Sequence, residues 1–225
     1  MQAESPLRCK VLKTDMSSYL TVKDRSSAEY VEKRSKFIAY TAPCETEAQA
    51  MEFLAEIRTK HWDARHNCFA FVVEKGSLSR FSDDGEPHGT AGKPILEVIT
   101  GSGLVNVAVV VTRYFGGVLL GTGGLVRAYT KATKEALDNA PKAEMMLCTE
   151  FEITCEYSDH GTLQKLLEDN HAEISDTNFT DKVKVTYLLK TKQADVFNQK
   201  LTEVFSGRIT PLEKNQIIAP FSVIE

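Results

Sequence analysis

Between Asp83 and Tyr129 the chain gathers acids, a histidine, single cations and glycines at spacings suited to holding an anion. The first block is D-D-G-E-P-H-G-T-A-G-K-P from Asp83 to Pro94, and the second is V-V-V-T-R-Y-F-G-G-V-L-L-G-T-G-G-L-V-R-A-Y from Val109 to Tyr129. Ten of the thirteen glycines fall between Gly85 and Gly124. Glycine inside a fold marks a left-handed backbone position or a place where another group approaches the main chain closely. Gly116 and Gly117 follow a strand-like run, and Gly121, Thr122, Gly123 and Gly124 open a helix. Strand, glycine turn and helix start together aim free backbone N–H groups at an anion, with the helix dipole behind them. The block is not a Walker A loop, because no G-K-[ST] follows, and it is not G-x-G-x-x-G. Two readings stand side by side: the glycines cradle a phosphate, or they serve only tight turns and close helix–strand packing.

The charged side chains bear on that choice. At 100° per residue, Arg127, Lys131 and Lys134 lie within about 60° of one another on the helix after the glycines. Leu125, Tyr129, Ala132 and Ala136 lie opposite, so the helix is amphipathic with a basic outer stripe. Such a stripe is ordinarily just solvated; continuing from a glycine-bearing helix start, it also suits a track of phosphates. Arg113 ends the apolar strand, where it could grip a phosphate or carboxylate bidentately, or tie the acidic loop in place through Asp83 or Asp84. In that loop, Asp83, Asp84, Glu86 and His88 lie too close in sequence for an EF-hand and lack its oxygen ligands. A turn fixed by aspartate side chains, with Gly85 left-handed and Pro87 stiffening it, is expected instead, with no metal and no cofactor. His66 and Cys68 alternate on a strand and face the same side. They form a nucleophile–base couple, or a small core thiol beside a histidine that contacts the acidic loop. A catalytic centre would draw on His66, Asp83, Asp84, Glu86 and Arg113. His61, Trp62 and Arg65 frame the same cleft, with packing rather than stacking expected of Trp62.

The elements that must position these residues follow from periodicity. Residues 19–22, 35–41, 67–74 and 106–113 read as strands, the last a β-branched run suited to a buried central position. Residues 46–59 read as a helix, with Ala50, Met51, Phe53, Leu54 and Ile57 at three- to four-residue spacing and Thr46 with Gln49 as a capping box. Pro94 suits the first residue of a short helix to Thr100. The helix after the glycines spans about 123–139 and stops before Pro141. Beyond a boundary near 141–144, strand 148–157, helix 161–170, strand 172–178, strand 182–190, helix 192–205 and a last strand near 216–223 form a β-α-β-β-α-β order, the ferredoxin-like pattern. The fold class expected is α+β in two domains, 19–142 and 143–225, after an N-terminal extension of residues 1–18.

Composition narrows the function classes. No apolar run approaches the roughly 20 residues of a membrane helix, and the N-terminus lacks the apolar core of a secretory signal, so a cytoplasmic location with no membrane partner is expected. Five scattered cysteines (Cys9, Cys44, Cys68, Cys148 and Cys155) without C-x-x-C spacing point to reduced thiols rather than a disulfide framework or zinc site. Residues 1–147 carry 19 Lys/Arg against 18 Asp/Glu, and residues 148–225 carry 8 against 13. Neither half is the basic body of a tight duplex binder, so any nucleic-acid contact must come from a local patch.

Four blocks carry a resemblance: K-R-S-K-F-I at 33–38, A-R-H-N-C-F-A-F at 64–71, the acidic block at 83–94, and V-T-R-Y-F-G-G-V-L-L-G-T-G-G-L-V-R-A-Y at 111–129. In these the chain resembles the YigZ/IMPACT family over roughly residues 19–225. The resemblance implies an N-terminal domain of ribosomal protein S5 domain 2-like fold and a C-terminal ferredoxin-like domain similar to the last domain of elongation factor G. Eukaryotic members regulate translation initiation through an additional N-terminal domain, which residues 1–18 are too short to form, so the two-domain layout looks like the bacterial branch. The leading expectation is a translation-associated regulator binding RNA backbone or a nucleotide phosphate through Arg113, Gly116, Gly117, Gly121–Gly124, Arg127 and Lys131, with RNA, the ribosome or translation factors as partners. The alternatives are an enzyme acting on a small phosphorylated or peptide-like substrate, and a purely protein-binding regulator.

Overall fold

The computed structural model describes residues 18–222 as a mixed α+β structure built on two five-stranded antiparallel sheets. After β1 (Ser18–Val22) come β2 (Ser26–Glu32), β3 (Ser35–Pro43), α1 (Glu47–Lys60), β4 (His66–Val73), β5 (Leu78–Ser82), α2 (Gly92–Gly101), β6 (Val107–Tyr114) and α3 (Thr122–Asp138). The first sheet has the order β2-β3-β6-β4-β5. The apolar run at 107–111 is continuous because β6 lies between β3 and β4 and is covered on both faces. On one face Phe37, Cys68, Ala70, Val109 and Val111 meet Ile95 and Ile99 of α2 and Leu125, Tyr129 and Ala132 of α3. On the other, Phe71, Val73, Ala108 and Val110 meet Phe53, Leu54 and Ile57 of α1.

Helix α1 starts at the capping box the sequence suggests. Thr46 Oγ1 accepts the Gln49 N–H, and the Gln49 side chain accepts the Thr46 N–H. Helix α2 starts at Gly92, two residues before Pro94; a proline in the first turn removes an N–H that has no helical partner anyway. Strand β2 escaped the sequence pattern because Glu29 and Glu32 interrupt its apolar residues, and it alternates half-buried with exposed along its length.

The second sheet comprises β7 (Lys142–Cys155), α4 (Tyr157–Asp169), β8 (Glu173–Phe179), β9 (Val183–Lys190), α5 (Ala194–Phe205) and β10 (Leu212–Ser222). Strand β7 begins at Lys142 rather than at 148. One of its edges pairs with β10; the other pairs with β9 over 148–155 and with β1 over 142–146. The order along β10, β7, β9 and β8 is therefore continuous. Phe151, Ile153, Val185 and Tyr187 pack on Leu163, Leu167, Phe197 and Leu201 of the two helices. Strand β1, which the sequence places with the first unit, hydrogen-bonds in this second sheet, while Val22 packs in the first core and Leu20 bridges to Leu104. The extension expected over residues 1–18 lies, apart from Ser18, outside the described residues, as does the end of the last predicted strand at Val223. Among the described residues, the four cysteines are unpaired and buried, and no helix is long and apolar enough to cross a membrane.

Candidate functional site

The acidic loop between β5 and α2 is held by its own side chains. Asp83 accepts three backbone N–H groups: Oδ2 takes Gly89 at 2.8 Å, and Oδ1 takes Ala91 at 3.0 Å and Gly92 at 2.8 Å. Ala91 at the helix boundary offers no side-chain cap, so Asp83 caps α2 from outside it. Burial alone would raise the Asp83 carboxyl, but these N–H bonds and the nearby His88 outweigh it and hold the group below the ordinary value. Asp84 accepts the Asn67 N–H at 2.8 Å and an Arg58 N–H at 2.7 Å. Gly85 takes φ +87°, as the sequence suggests for this turn. His66 Nδ1 lies 2.9 Å from the Asp84 carbonyl oxygen, so that nitrogen carries the proton and donates. The histidine therefore contacts the acidic loop.

Arg113 does tie the loop, but through Glu86 rather than Asp83 or Asp84. Its Nη1 lies 2.6 Å from Glu86 Oε1, with both side chains buried. The reason is positional: Asp83 and Asp84 are already engaged by the α2 backbone, Asn67 and Arg58, while Glu86 turns inward. Tyr129 O–H, on α3, donates to the same Glu86 oxygen at 2.8 Å. Cys68 donates its thiol proton to the Asp83 carbonyl at 2.9 Å and lies 3.4 Å from Tyr129 Oη. Burial pushes the Cys68 thiol and the Tyr129 hydroxyl strongly upward. A nucleophilic thiol requires the reverse, so Cys68 is a core residue. Asp83, Asp84 and Glu86, which a catalytic centre would have drawn on together with His66, each have structural partners.

The glycines divide by cause. A Cβ at Gly116 would lie 2.0 Å from the Arg34 backbone carbon, so this glycine admits the tip of the β2–β3 hairpin, where Lys33 and Arg34 are exposed. Gly117 and Gly121 have positive φ, and Gly124 sits tightly against Leu120. Gly123 has neither reason: its φ is helical, and a Cβ there would meet nothing nearer than Arg127 Nη1 at 3.9 Å. Residues 121–123 are exposed. Helix α3 has no side-chain cap and no acid in its first turn among the described residues. Arg127, Lys131 and Lys134 are exposed and Leu125, Tyr129, Ala132 and Ala136 buried, as the helical spacing predicts. Lys131 is partly engaged, lying 4.5 Å from the Tyr30 ring centre and 4.0 Å from Glu135.

At the same end of the first sheet, an open cleft of about 380 Å³ runs between the 63–66 segment on one side and residues 113–115 and Leu119 on the other. Cross-strand pairing sets Phe37, Arg113 and His66 in one row. Beside the cleft, Tyr114 O–H donates to Asp63 Oδ1 at 2.8 Å. The Tyr114 oxygen then accepts from His61 Nδ1–H at 2.9 Å, which leaves His61 Nε2 to accept from Tyr40 O–H at 2.7 Å. Burial first, and then Lys60 and Lys36 against the opposing Asp63, push His61 below the usual imidazole value. Burial and the Asp63 carboxylate push Tyr114 up to about 12. Trp62, expected to pack, is instead 84% exposed at the end of α1. Asp63, Phe115 and Leu119 were not read as site residues. Their only sequence signal is adjacency to residues that were, and an apolar Leu119 within a glycine loop carries none.

Residues 33–137 match the family model described as the Impact N-terminal domain, and residues 153–208 match a domain of unknown function, DUF1949. The IMPACT family member YvyE of Bacillus subtilis (strain 168) is 36% identical over 194 residues, covering 86% of this chain and 89% of that protein. An IMPACT family member of Haemophilus influenzae is 40% identical over 197 residues, covering 86% and 96%. A crystal structure described as that of a hypothetical protein superposes with a TM-score of 0.58 at 34% identity, over 89% of this chain and 98% of that one. Protein IMPACT of Rattus norvegicus matches over 98 residues, 42% of this chain and 31% of that protein, at 34% identity.

Proposed function

We propose a function from one premise: the chain belongs to the IMPACT family. It binds RNA through backbone phosphates on its first unit and acts as a translation-associated regulator in the cytoplasm. The observation that carries this reading is the start of α3. There an exposed, uncapped helix N-terminus bears a glycine at 123 that neither φ nor packing requires, followed one turn later by exposed Arg127. Glycine at such a position favours close approach of a ligand to the backbone, and free N–H groups with a cation nearby suit phosphate. Lys33, Arg34 and Lys134 extend the positive surface.

The first unit is assigned to the S5 domain 2-like fold and the second to the ferredoxin-like fold, with the division near residue 142. The order β10-β7-β9-β8 with two helices on one face supports the second assignment. The second unit, acidic in composition, engages a protein component of the translation apparatus instead of RNA. Its edge strand β8 is exposed at every residue but Thr177, which suits a protein contact.

The test is RNA binding by fluorescence anisotropy at two salt concentrations. Binding should weaken as salt rises, since phosphate neutralisation releases counterions. Arg127→Glu with Lys131→Glu should abolish it while leaving the circular dichroism spectrum unchanged. Salt-insensitive binding, or full binding by that double variant, would overturn the reading.

A further inference from the structure

We propose that the cleft beside Arg113 receives a single unstacked nucleobase, so that the RNA held by this protein is single-stranded. The inference rests on the phosphate-binding reading above and adds what the phosphates alone leave open, the form of the strand. A cleft of about 380 Å³ is at the small end of the ~300–1,000 Å³ range of ligand pockets. It has room for one nucleotide and none for a paired helix.

Its walls suit a base. The Arg113 guanidinium lies over the Phe115 ring, 5.6 Å from its centre, and over Phe37 at 5.5 Å. One face of Phe115 is thus held by a cation that Glu86 itself holds, yet the ring remains 55% exposed. An aromatic ring backed by a cation and more than half exposed is a stacking platform, and stacking tolerates any base. Leu119 on the same wall is 84% exposed. With Phe115 it gives this wall two exposed apolar side chains side by side, a surface that something covers.

The polar groups fit the same occupant. Arg113 is 7% exposed and its Nε has no hydrogen-bond partner among the described residues, although a buried donor ordinarily finds one. That atom is itself buried, so Arg113 acts on the occupant through the Phe115 ring and not by a hydrogen bond. Arg65 on the opposite wall, and Arg34, whose backbone packs on Gly116, supply charge for the flanking phosphates. Among the described residues Asp63 is the one acid on the walls, and its carboxylate is engaged by Tyr114.

The experiment compares three ligands by anisotropy at one low salt concentration: a single-stranded RNA 12-mer of mixed sequence, the same RNA as a duplex, and an abasic ribose-phosphate 12-mer. The single strand should bind at least tenfold tighter than the other two. Phe115→Ala should lower single-strand affinity by roughly fivefold or more, as stacking on one ring allows, while leaving the abasic strand unchanged and Phe115→Tyr near wild type. Equal binding of all three ligands would overturn the base-in-cleft inference and leave the phosphate reading standing. Binding of none would overturn both. Single-strand affinity unchanged in Phe115→Ala would overturn the inference alone.

Discussion

Replacing Glu86 by alanine is expected to remove a large part of the stability of the first unit. Its carboxylate has two buried partners, Arg113 at 2.6 Å and the Tyr129 hydroxyl at 2.8 Å. Removing one partner of a buried ion pair costs about 3–5 kcal/mol, because the remaining charge stays desolvated and unpaired. At about 2–4 °C per kcal/mol for a chain of this size, the melting temperature should fall by roughly 6–20 °C. The control is Glu86→Leu with Arg113→Met. Without the charge, an apolar pair of similar volume is often neutral or stabilising, and the deficit should shrink to the orphaned Tyr129 hydroxyl, about 1–3 kcal/mol. Adding Tyr129→Phe should remove that remainder. Urea unfolding with linear extrapolation measures all three. A loss below about 1 kcal/mol for Glu86→Ala would show that Arg113 turns into the cleft and finds water, refuting a guanidinium locked in place. A double variant worse than the single would refute the buried-charge account altogether.

Three further outcomes are expected. Gly116→Ala should destabilise by about 1–3 kcal/mol or more through its clash with the Arg34 backbone, whereas Gly123→Ala should be neutral or stabilising by up to ~1 kcal/mol and yet weaken RNA binding; urea titration and anisotropy read the two effects separately. His61 is held below the usual imidazole value, so the stability it contributes is full above its unfolded value, about 6.5, and is lost as pH falls below that; between pH 7 and 5 the urea midpoint of His61→Gln should fall less than that of the wild type. Asp83, held below the ordinary carboxylate value, contributes stability that is full above its unfolded value, about 3.9, and is lost as pH falls further; Asp83→Asn should therefore destabilise at pH 7, with the deficit narrowing in acid unfolding followed by circular dichroism.

What the sequence made legible is local. The capping box at Thr46 and Gln49, the β-branched run of β6 and the two faces of α3 each depend on residues within a few positions of one another, and each is found as expected. Strand β1 was placed with its neighbours because its partner, β7, lies more than a hundred residues away, and no periodicity reports that distance. The partner of Arg113 was undetermined for a related reason. Three acids occupy four positions from 83 to 86, and the choice among them is made by where the backbone turns, which depends on Asp83 reaching the N–H groups of Gly89, Ala91 and Gly92. The His61 relay was invisible because its two tyrosine partners come from different strands. Trp62, expected to pack beside the cleft, lies just beyond α1 and is left in solvent.

An ion pair such as Arg113–Glu86 is weak evidence of design for stability, since an apolar pair of the same volume would serve the fold as well or better. The geometry around it is better accounted for by position. Asp83 fixes the start of α2, Asp84 fixes the loop against β4 and α1, and the loop so held presents Glu86 to Arg113. Tyr129 brings α3 to the same oxygen. The helix whose N-terminus is open and the cation behind the Phe115 ring are therefore joined through one carboxylate. A ligand meeting both would find them already set relative to one another, which lowers the ordering cost of binding. On this account Glu86→Gln, which keeps the shape and removes the charge, should weaken RNA binding more than its loss of folding stability alone explains. Equal affinity in a still-folded Glu86→Gln variant would reduce the pair to a structural strut.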